Sequence, residues 1–455
     1  MGDSIVFVTP CSLRFWIFGK GTVQPVYGPI LLGTILRNAG FKVRVIQQNL
    51  LDRPIQPSDL DADWLGLCLF TPSAHAGYEI CRMYRAARPD GRIIAGGIHP
   101  TFCPEDVLPH VDHIVKGEAE NVIVDLLKYG SSEKIIESEP VVDLDNLPMP
   151  DFSLLTGGGV IRDFPIVTSR GCPHKCDFCQ GRAFSGSLYR KKSPERVIEE
   201  MKLAPANAKI RINDDNFGSD KERCDKIIEI LAGMGFDKEW SCMLRANRAG
   251  DPDFVRTLKA AGCHTVGIGI ETVNPKSHKE VHKGQTVGDA YEAVNTLLKN
   301  DIQADGYFIV GFDSDDVSDM HGIVDFCQRE QVTTWTIMVL TPYPGTPLAQ
   351  SLEAEGRIFE RDWRYYDSTR VVFHPRKMSA RKLQEEYINV NRRLAGRASR
   401  IADWAGCAAD VIRNPRKARR IQNYTRRRSE WKRLISGSFK RWMRDNKDYI
   451  CGLPD

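Results

Sequence analysis

Three cysteines within eight residues, in the run Cys172-Pro-His-Lys-Cys176-Asp-Phe-Cys179, are the part of this 455-residue chain best equipped for chemistry. Thiolates in that number and spacing suit an iron–sulfur cluster better than a hard cation. A four-iron cubane takes four ligands, so a loop that supplies three leaves one iron open to a small molecule. Two plainer readings stand beside it. The cysteines could form a zinc site with His174 as fourth ligand, although structural zinc sites usually join two separated ligand pairs. They could also be buried free thiols, a common fate of unpaired cysteine, against which stands their crowding beside Gly171 and Pro173.

Cys224, Cys242, Cys263, Cys327, Cys407 and Cys451 lie downstream, isolated, so an auxiliary cluster would have to gather distant ligands. Thirteen cysteines, an odd number spread along the chain, fit a reducing compartment better than a disulfide framework. No stretch approaches the ~20 apolar residues of a membrane-spanning helix. The start, Met1-Gly-Asp-Ser-Ile-Val-Phe, has neither the basic flank nor the cleavage site of a secretory signal, and Gly2 lacks a myristoylation context. A cytoplasmic location is the expectation.

The loop is reached through the apolar run Phe164-Pro-Ile-Val-Thr168, and elements on both sides must position it. Upstream, residues 1–135 alternate strands (5–9, 42–46, 64–70, 92–97, 113–118) with helices (28–40, 75–88, 120–129). That alternation predicts a doubly wound parallel α/β sheet with its ligands beyond the strands' carboxyl ends. Thr71, Ser73, Gly96, Gly97, Gly117 and Glu118 fall there. The glycines either admit a ligand close to the backbone or only make tight turns. Residues 136–158, with Pro140, Pro148 and Pro150, read as a linker.

From 159 to 350 a second series begins, with strands at 164–168, 209–213, 240–244, 265–270, 304–310 and 333–340. Helices near 193–202, 220–233, 251–261, 287–299 and 318–331 separate them, the first with Ser193 as cap and Pro194 in its first position. Six such units predict a partial (β/α)6 barrel with its chemistry at the strands' carboxyl ends. Asp214, Asp215, Glu271, Gly311 and the loop Thr341-Pro-Tyr-Pro-Gly-Thr-Pro347 stand at those ends. Singly they read as a helix cap, a surface acid or a turn; their shared rim says more.

Residues 351–455 are expected to be helical and to end in a basic tail. Fourteen basic residues against two acids lie between Arg413 and Lys447, about +12 of a chain whose total is +4. Trp431, Leu434, Ile435, Phe439 and Trp442 interleave at helical spacing. Such a helix can lie on an anionic membrane, contact phosphates, or pack its aromatics on the barrel as a solvated cap. No helix-turn-helix, zinc-finger or RNA-recognition signature accompanies it, which sets nucleic acid aside.

The Cys172, Cys176, Cys179 spacing, with Phe178 before the last cysteine, resembles the signature of the radical S-adenosylmethionine (SAM) superfamily. The likeness extends from the first strand to about Tyr387. Asp214-Asp215-Asn216-Phe217 resembles the segment that meets the methionine amino group. Gly269-Ile-Glu271-Thr and Gly306-Tyr-Phe-Ile-Val-Gly311-Phe resemble those that hold ribose and adenine. The N-terminal half is similar to the cobalamin-binding domain of one large branch, through Gly96-Gly-Ile-His-Pro-Thr101 and Gly117-Glu118. That branch includes anaerobic magnesium-protoporphyrin ester cyclase, hopanoid methylases and related carbon-methyltransferases, and Tyr343-Pro-Gly-Thr-Pro-Leu348 through Met378-Ser379 is similar to it as well. One departure stands out. The Asp-x-His-x-x-Gly motif, whose histidine ligates cobalt in many cobalamin proteins, is replaced by Thr71-Pro-Ser-Ala-His75-Ala-Gly77.

The resemblance implies a [4Fe-4S] cluster on the three cysteines and SAM held by Phe178, Asp214, Asp215, Glu271 and Gly311. It implies cobalamin on Thr71, Ser73, Gly96, Gly97, Gly117 and Glu118. The open iron would chelate SAM, and one electron from a donor such as flavodoxin or ferredoxin would release a 5′-deoxyadenosyl radical. That radical would take hydrogen from an unactivated carbon of a small-molecule or lipid-like substrate, ending in methylation or, alternatively, in cyclisation, carbon–carbon bond formation or oxidation. A lipid substrate would favour peripheral membrane contact through 413–447.

Overall fold

Apolar strands alternating with amphipathic helices build two parallel sheets in the computed structural model, which describes residues 3–11, 24–51, 53–157, 161–396 and 418–455. The first sheet contains β1 (Ser4–Thr9), β2 (Lys42–Gln47), β3 (Trp64–Cys68), β4 (Arg92–Gly96), β5 (His113–Gly117) and β6 (Ile135–Ser138). Their order is β2-β1-β3-β4-β5-β6, all parallel. In such a doubly wound sheet the order reverses beside β1, and a crevice opens at the carboxyl ends.

Near-continuous apolar runs explain the central strands: Val6, Val8, Leu65, Leu67, Ile93 and Ala95 are buried beneath helices. The β6 strand corrects the expected linker. Residues 135–138 pair parallel with β5, and an edge strand that keeps both faces half exposed needs no apolar run to mark it in sequence. The rest of the expected linker crosses between the domains, apart from 158–160, which lie outside the described residues.

The second sheet runs in simple succession: β7 (Asp163–Ile166), β8 (Lys209–Ile212), β9 (Trp240–Leu244), β10 (Cys263–Glu271), β11 (Gln303–Val310) and β12 (Thr334–Val339). All pairs are parallel, with helices returning outside, which makes the predicted partial barrel. Ser193 caps its helix as expected, its hydroxyl accepting from the Arg196 amide at 3.3 Å. Cys224, Cys242, Cys263 and Cys327 are buried as free thiols within this core. Cys451 is exposed, and Cys407 lies outside the described residues.

The tail is where the chain departs most from a membrane-binding expectation. Residues 413–417 lie outside the described residues, and Ala418–Asp445 is one helix. Ile435, Phe439 and Trp442 are buried, and the last two belong to the barrel core. The Trp442 indole donates to Thr369 Oγ1 at 3.1 Å, and the Trp431 indole to the Trp335 carbonyl of edge strand β12 at 3.0 Å. Even two of the cations are inside: Arg428 and Lys432 are buried against the Trp335 ring, at 5.3 and 5.9 Å from its centroid. The expected membrane anchors therefore pack inward, Trp431 on the open edge of the sheet and Phe439 and Trp442 against Tyr387, while Arg426, Arg433, Lys440 and Arg441 face solvent. No helix among the described residues is long and apolar enough to cross a membrane.

Replacing Trp442 with Ala should cost about 3–5 kcal/mol of stability, the range for a buried large-to-small change. Urea unfolding of the full chain measures it, and an unchanged midpoint would contradict a tail built into the barrel core.

Candidate active site

The cysteine loop leaves the end of β7 and is pinned before it starts. Asp214, buried just after β8, accepts four hydrogen bonds: from the Thr168 amide (2.7 Å) and hydroxyl (2.5 Å), and from the Ser169 amide (3.1 Å) and hydroxyl (2.5 Å). Its carboxylate thus points back to the strand that launches the loop, not into open space. Ser169–Arg170 then pairs antiparallel with Arg190–Lys191, closing a hairpin around the cysteines. At Gly171, with φ 86°, a side chain would meet the Leu188 carbonyl at 2.2 Å, so only glycine fits the turn.

Within the loop, Cys179 Sγ accepts from the Arg182 amide at 3.5 Å and so caps the helix Gln180–Ser185. Burial pushes the Cys172 thiol up, and Cys179 up to about 11, with the Asp215 carboxylate and the neighbouring cysteines adding to both shifts. Thiols in that state deprotonate when a metal takes their place as the proton's competitor. Among the described residues no three His, Cys, Asp or Glu side chains close on one point as a mononuclear zinc site requires. Phe178 fastens the loop to the rim, its ring 5.9 Å from that of Phe312. Asp177 adds a hydrogen bond with His282 at 2.8 Å, and its carbonyl accepts from the Leu348 amide at 3.1 Å.

The next residue, Asp215, behaves in the opposite way to Asp214. Asp215 faces the cleft, next to Gly181, where a side chain would come within 2.5 Å of its carboxylate. Desolvation and then the Asp214 charge push its pKa up to about 6. Glu271 ends β10 with φ 64°, a left-handed conformation rare outside glycine, and forms a buried ion pair with Lys283 at 2.5 Å. Gly269 makes this pairing sterically open, since a Cβ there would lie 2.6 Å from Glu271 Oε1 and 2.9 Å from Lys283 Nζ.

Sequence reasoning missed Lys283 and Arg245. The Arg245 guanidinium, also buried, donates to the carbonyls of Lys283 and Gly284. Burial, then the charges of these two cations, hold His174 below its ordinary value. Their only sequence signals are an arginine directly after a strand and a lysine in the turn His282-Lys-Gly284. Gly311 does not line the cleft. Its φ of 101° and the Leu383 side chain, 2.7 Å from where a Cβ would sit, make it a point of close helix approach.

Between the two sheets lies an open cleft with about 1240 Å³ of empty space. Gly96, Gly97, Gly117 and Glu118 line it from the first domain, and Ser169, Arg170, Asn213 and Asp215 from the barrel. The remaining wall is mostly apolar, with Phe7, Leu67, Phe70 and Phe184 among its members. Thr71 and Ser73 sit one step back, in a short turn behind Phe70. The Thr71 hydroxyl oxygen is buried without a partner among the described residues, whereas Ser73 donates to the Phe70 carbonyl at 3.0 Å. His75 turns away to Asp362 at 3.5 Å, and among the described residues no histidine lines the cleft.

Glu118 is already committed. Arg190 donates to both its oxygens (2.8 and 2.6 Å), Arg170 approaches at 2.9 Å, and the Val141 amide adds a bond at 3.0 Å. Burial opposes its charge, but these partners outweigh it and hold the carboxyl below the usual range. Arg170 also pairs with Glu120 at 2.6 Å. The cleft wall and the cysteine hairpin are one buried ionic unit.

Fit to the implied cofactors follows from the donors present. Three sulfur donors on one pinned loop suit an iron–sulfur cluster. Glycine backbone at φ 99° and 82° (Gly97, Gly117) lets a large cofactor approach closely, and the apolar walls accommodate the flat face of a macrocycle. Asp214→Ala should strand the Thr168 and Ser169 donors, at roughly 1–3 kcal/mol for each unsatisfied group. Iron content after anaerobic reconstitution, alongside urea unfolding, should fall well below that of Asp215→Ala. Wild-type iron and stability in Asp214→Ala would contradict its positioning role.

Comparison with known proteins agrees with this geometry. The radical SAM superfamily model matches residues 166–327, and the B12 binding domain model matches 22–127. The chain is 28% identical over 403 residues to bacteriochlorophyllide d C-12(1)-methyltransferase of Chlorobaculum tepidum, covering 85% of this chain and 86% of that protein. It is 24% identical over 377 residues to anaerobic magnesium-protoporphyrin IX monomethyl ester cyclase of Cereibacter sphaeroides, covering 74% and 60%. The fold matches that of the cobalamin-dependent SAM radical enzyme OxsB, solved with aqua-cobalamin and SAM, at a TM-score of 0.68 and 15% identity over 100% of this chain and 82% of that one. A radical SAM domain implies a [4Fe-4S] cluster and SAM, and a B12-binding domain implies cobalamin. The chain thus carries a radical SAM domain with a B12-binding domain ahead of it, and is an enzyme of this kind.

Proposed function

We propose that the chain methylates an unactivated carbon of a small, largely apolar substrate, with cobalamin as methyl carrier. The observation that carries this reading is the shared cleft, into which Asp215 of the barrel rim and Gly96, Gly97 and Gly117 of the first sheet all open. When bound, the cluster and SAM supply one-electron cleavage of a carbon–sulfur bond that yields a primary carbon radical, and cobalamin supplies the methyl group.

The chain's own residues bind, orient and exclude water. Cys172, Cys176 and Cys179 hold the cluster, and Phe178 presses their loop on the rim. Asp215 and Glu271 offer carboxylates to the amino and hydroxyl groups of SAM, with Lys283 fixing Glu271. Asp214 acts one step removed, through Thr168 and Ser169. Gly311 shapes the end of β11 near the expected adenine segment. Gly96, Gly97 and Gly117 present backbone to cobalamin, and Thr71, Ser73 and Glu118 keep those walls in place. Apolar walls favour a substrate with a large apolar part.

A second reading, ring formation or oxidation without methyl transfer, is supported by the likeness to the ester cyclase and by the missing Asp-x-His-x-x-Gly motif. Reconstituted protein with dithionite and methyl-labelled SAM separates the two. An organic-solvent cell extract serves as substrate source. Label is expected in the apolar product fraction, and Cys176→Ala should lower deoxyadenosine formation more than about 100-fold, the scale of losing an essential group. Deoxyadenosine without label transfer would favour cyclisation; deoxyadenosine from Cys176→Ala would contradict both.

A further inference from the structure

The outward side of the cysteine loop carries groups that the chemistry above does not use. Lys175 is exposed within the loop, and Lys276 and Lys279 are exposed one turn apart on the helix Pro275–Glu280. None of the three has an ion-pair partner among the described residues. The helix abuts the loop directly, the Asp177 amide donating to the Val281 carbonyl at 3.4 Å and the Asp177 carboxylate meeting His282 at 2.8 Å. The acids on these segments are engaged: Asp177 with His282, and Glu280 with the amides of Asp313 and Ser314, both at 2.9 Å. On the other flank the Cys172 amide donates to the Gly186 carbonyl at 3.3 Å, and two residues on, Leu188 is 64% exposed. A large exposed apolar side chain thus lies close to one end of the cluster loop, and unpaired lysines lie on the loop and on the helix that abuts its other part.

We infer that this face docks an acidic protein carrying a low-potential one-electron centre, of the flavodoxin or ferredoxin kind. The inference rests on the radical-enzyme reading above. Electron transfer falls off steeply with distance, so the donor must come up to the loop itself. The loop's other sides are taken by Phe312, Leu348 and the cleft. Weak redox encounters use small interfaces steered by opposite charge, with an apolar contact at the centre. The unpaired lysines supply the steering and Leu188 the contact. In the step itself the donor loses one electron and the oxidised cluster gains it; no bond forms or breaks, and no proton moves across the interface.

The test follows cluster reduction in the reconstituted full chain by reduced flavodoxin, in parallel with dithionite. The double variant Lys276→Glu, Lys279→Glu should slow reduction by flavodoxin about tenfold while leaving dithionite-driven deoxyadenosine formation unchanged. In the wild type, the flavodoxin rate should fall steeply between roughly 50 and 300 mM salt. Leu188→Asp should slow the flavodoxin rate as well, by a route independent of the lysines. A wild-type flavodoxin rate in the double variant, or a salt-independent rate in the native chain, overturns the docking face. Failure of dithionite to drive any deoxyadenosine formation in the wild type would instead overturn the radical reading.

Discussion

Glu118 and its two guanidiniums are the interaction on which the site depends. Arg170 lies two residues before the first cysteine, and Arg190 lies on the strand that closes the same hairpin. Both meet one carboxylate at the carboxyl end of β5, in the other domain. Charges taken this far from water are tolerable only when paired and hydrogen-bonded, and removing one partner leaves the rest stranded at a cost of several kcal/mol. The tie therefore admits one arrangement of loop against cleft. A second buried tie reinforces it: Glu200 accepts from Tyr27 at 2.6 Å and from Lys192, and Lys192 also donates to Tyr27 at 3.0 Å. Tyr27 is itself part of the cleft wall.

With the two halves fixed, the two acids that follow β8 divide the labour at the rim. Asp214 and Asp215 are adjacent in the chain but differently engaged. One spends its carboxylate on the backbone that launches the cysteine loop; the other meets the cleft. Burial, and then the neighbouring Asp214 charge, push the Asp215 carboxyl up to about 6. An ammonium group arriving beside it would relieve that repulsion. The strained turn at Glu271, paid for by Lys283, sets a second carboxylate on the same rim.

Much of this was legible in the sequence, because local signals fixed it. Strand runs, the Ser193 cap and the cysteine spacing depend on residues near one another in the chain. The misreadings share the opposite property. The partners of Glu118 lie 52 and 72 positions away, so sequence offered only an acid at a strand end where the structure has an interdomain lock. Asp214 looks identical to Asp215 until its donors, some 46 residues upstream, fold against it. The tail gave the same amphipathic pattern that a membrane helix gives; only the β12 edge under Trp431 and the Thr369 and Tyr387 surface under Trp442 decide that these rings turn inward. Strand β6 escaped because an edge strand has little to bury.

The central claim is that one chain sets an iron–sulfur cluster and cobalamin on facing walls of a single cleft. Anomalous diffraction from anaerobic crystals of the holoprotein, collected at the iron and cobalt absorption edges, tests it most directly. The account predicts an iron peak bonded to Cys172, Cys176 and Cys179, and a cobalt peak in the cleft between Gly97 and Asp215. An iron peak on other cysteines, or a cobalt peak outside that cleft, would contradict it.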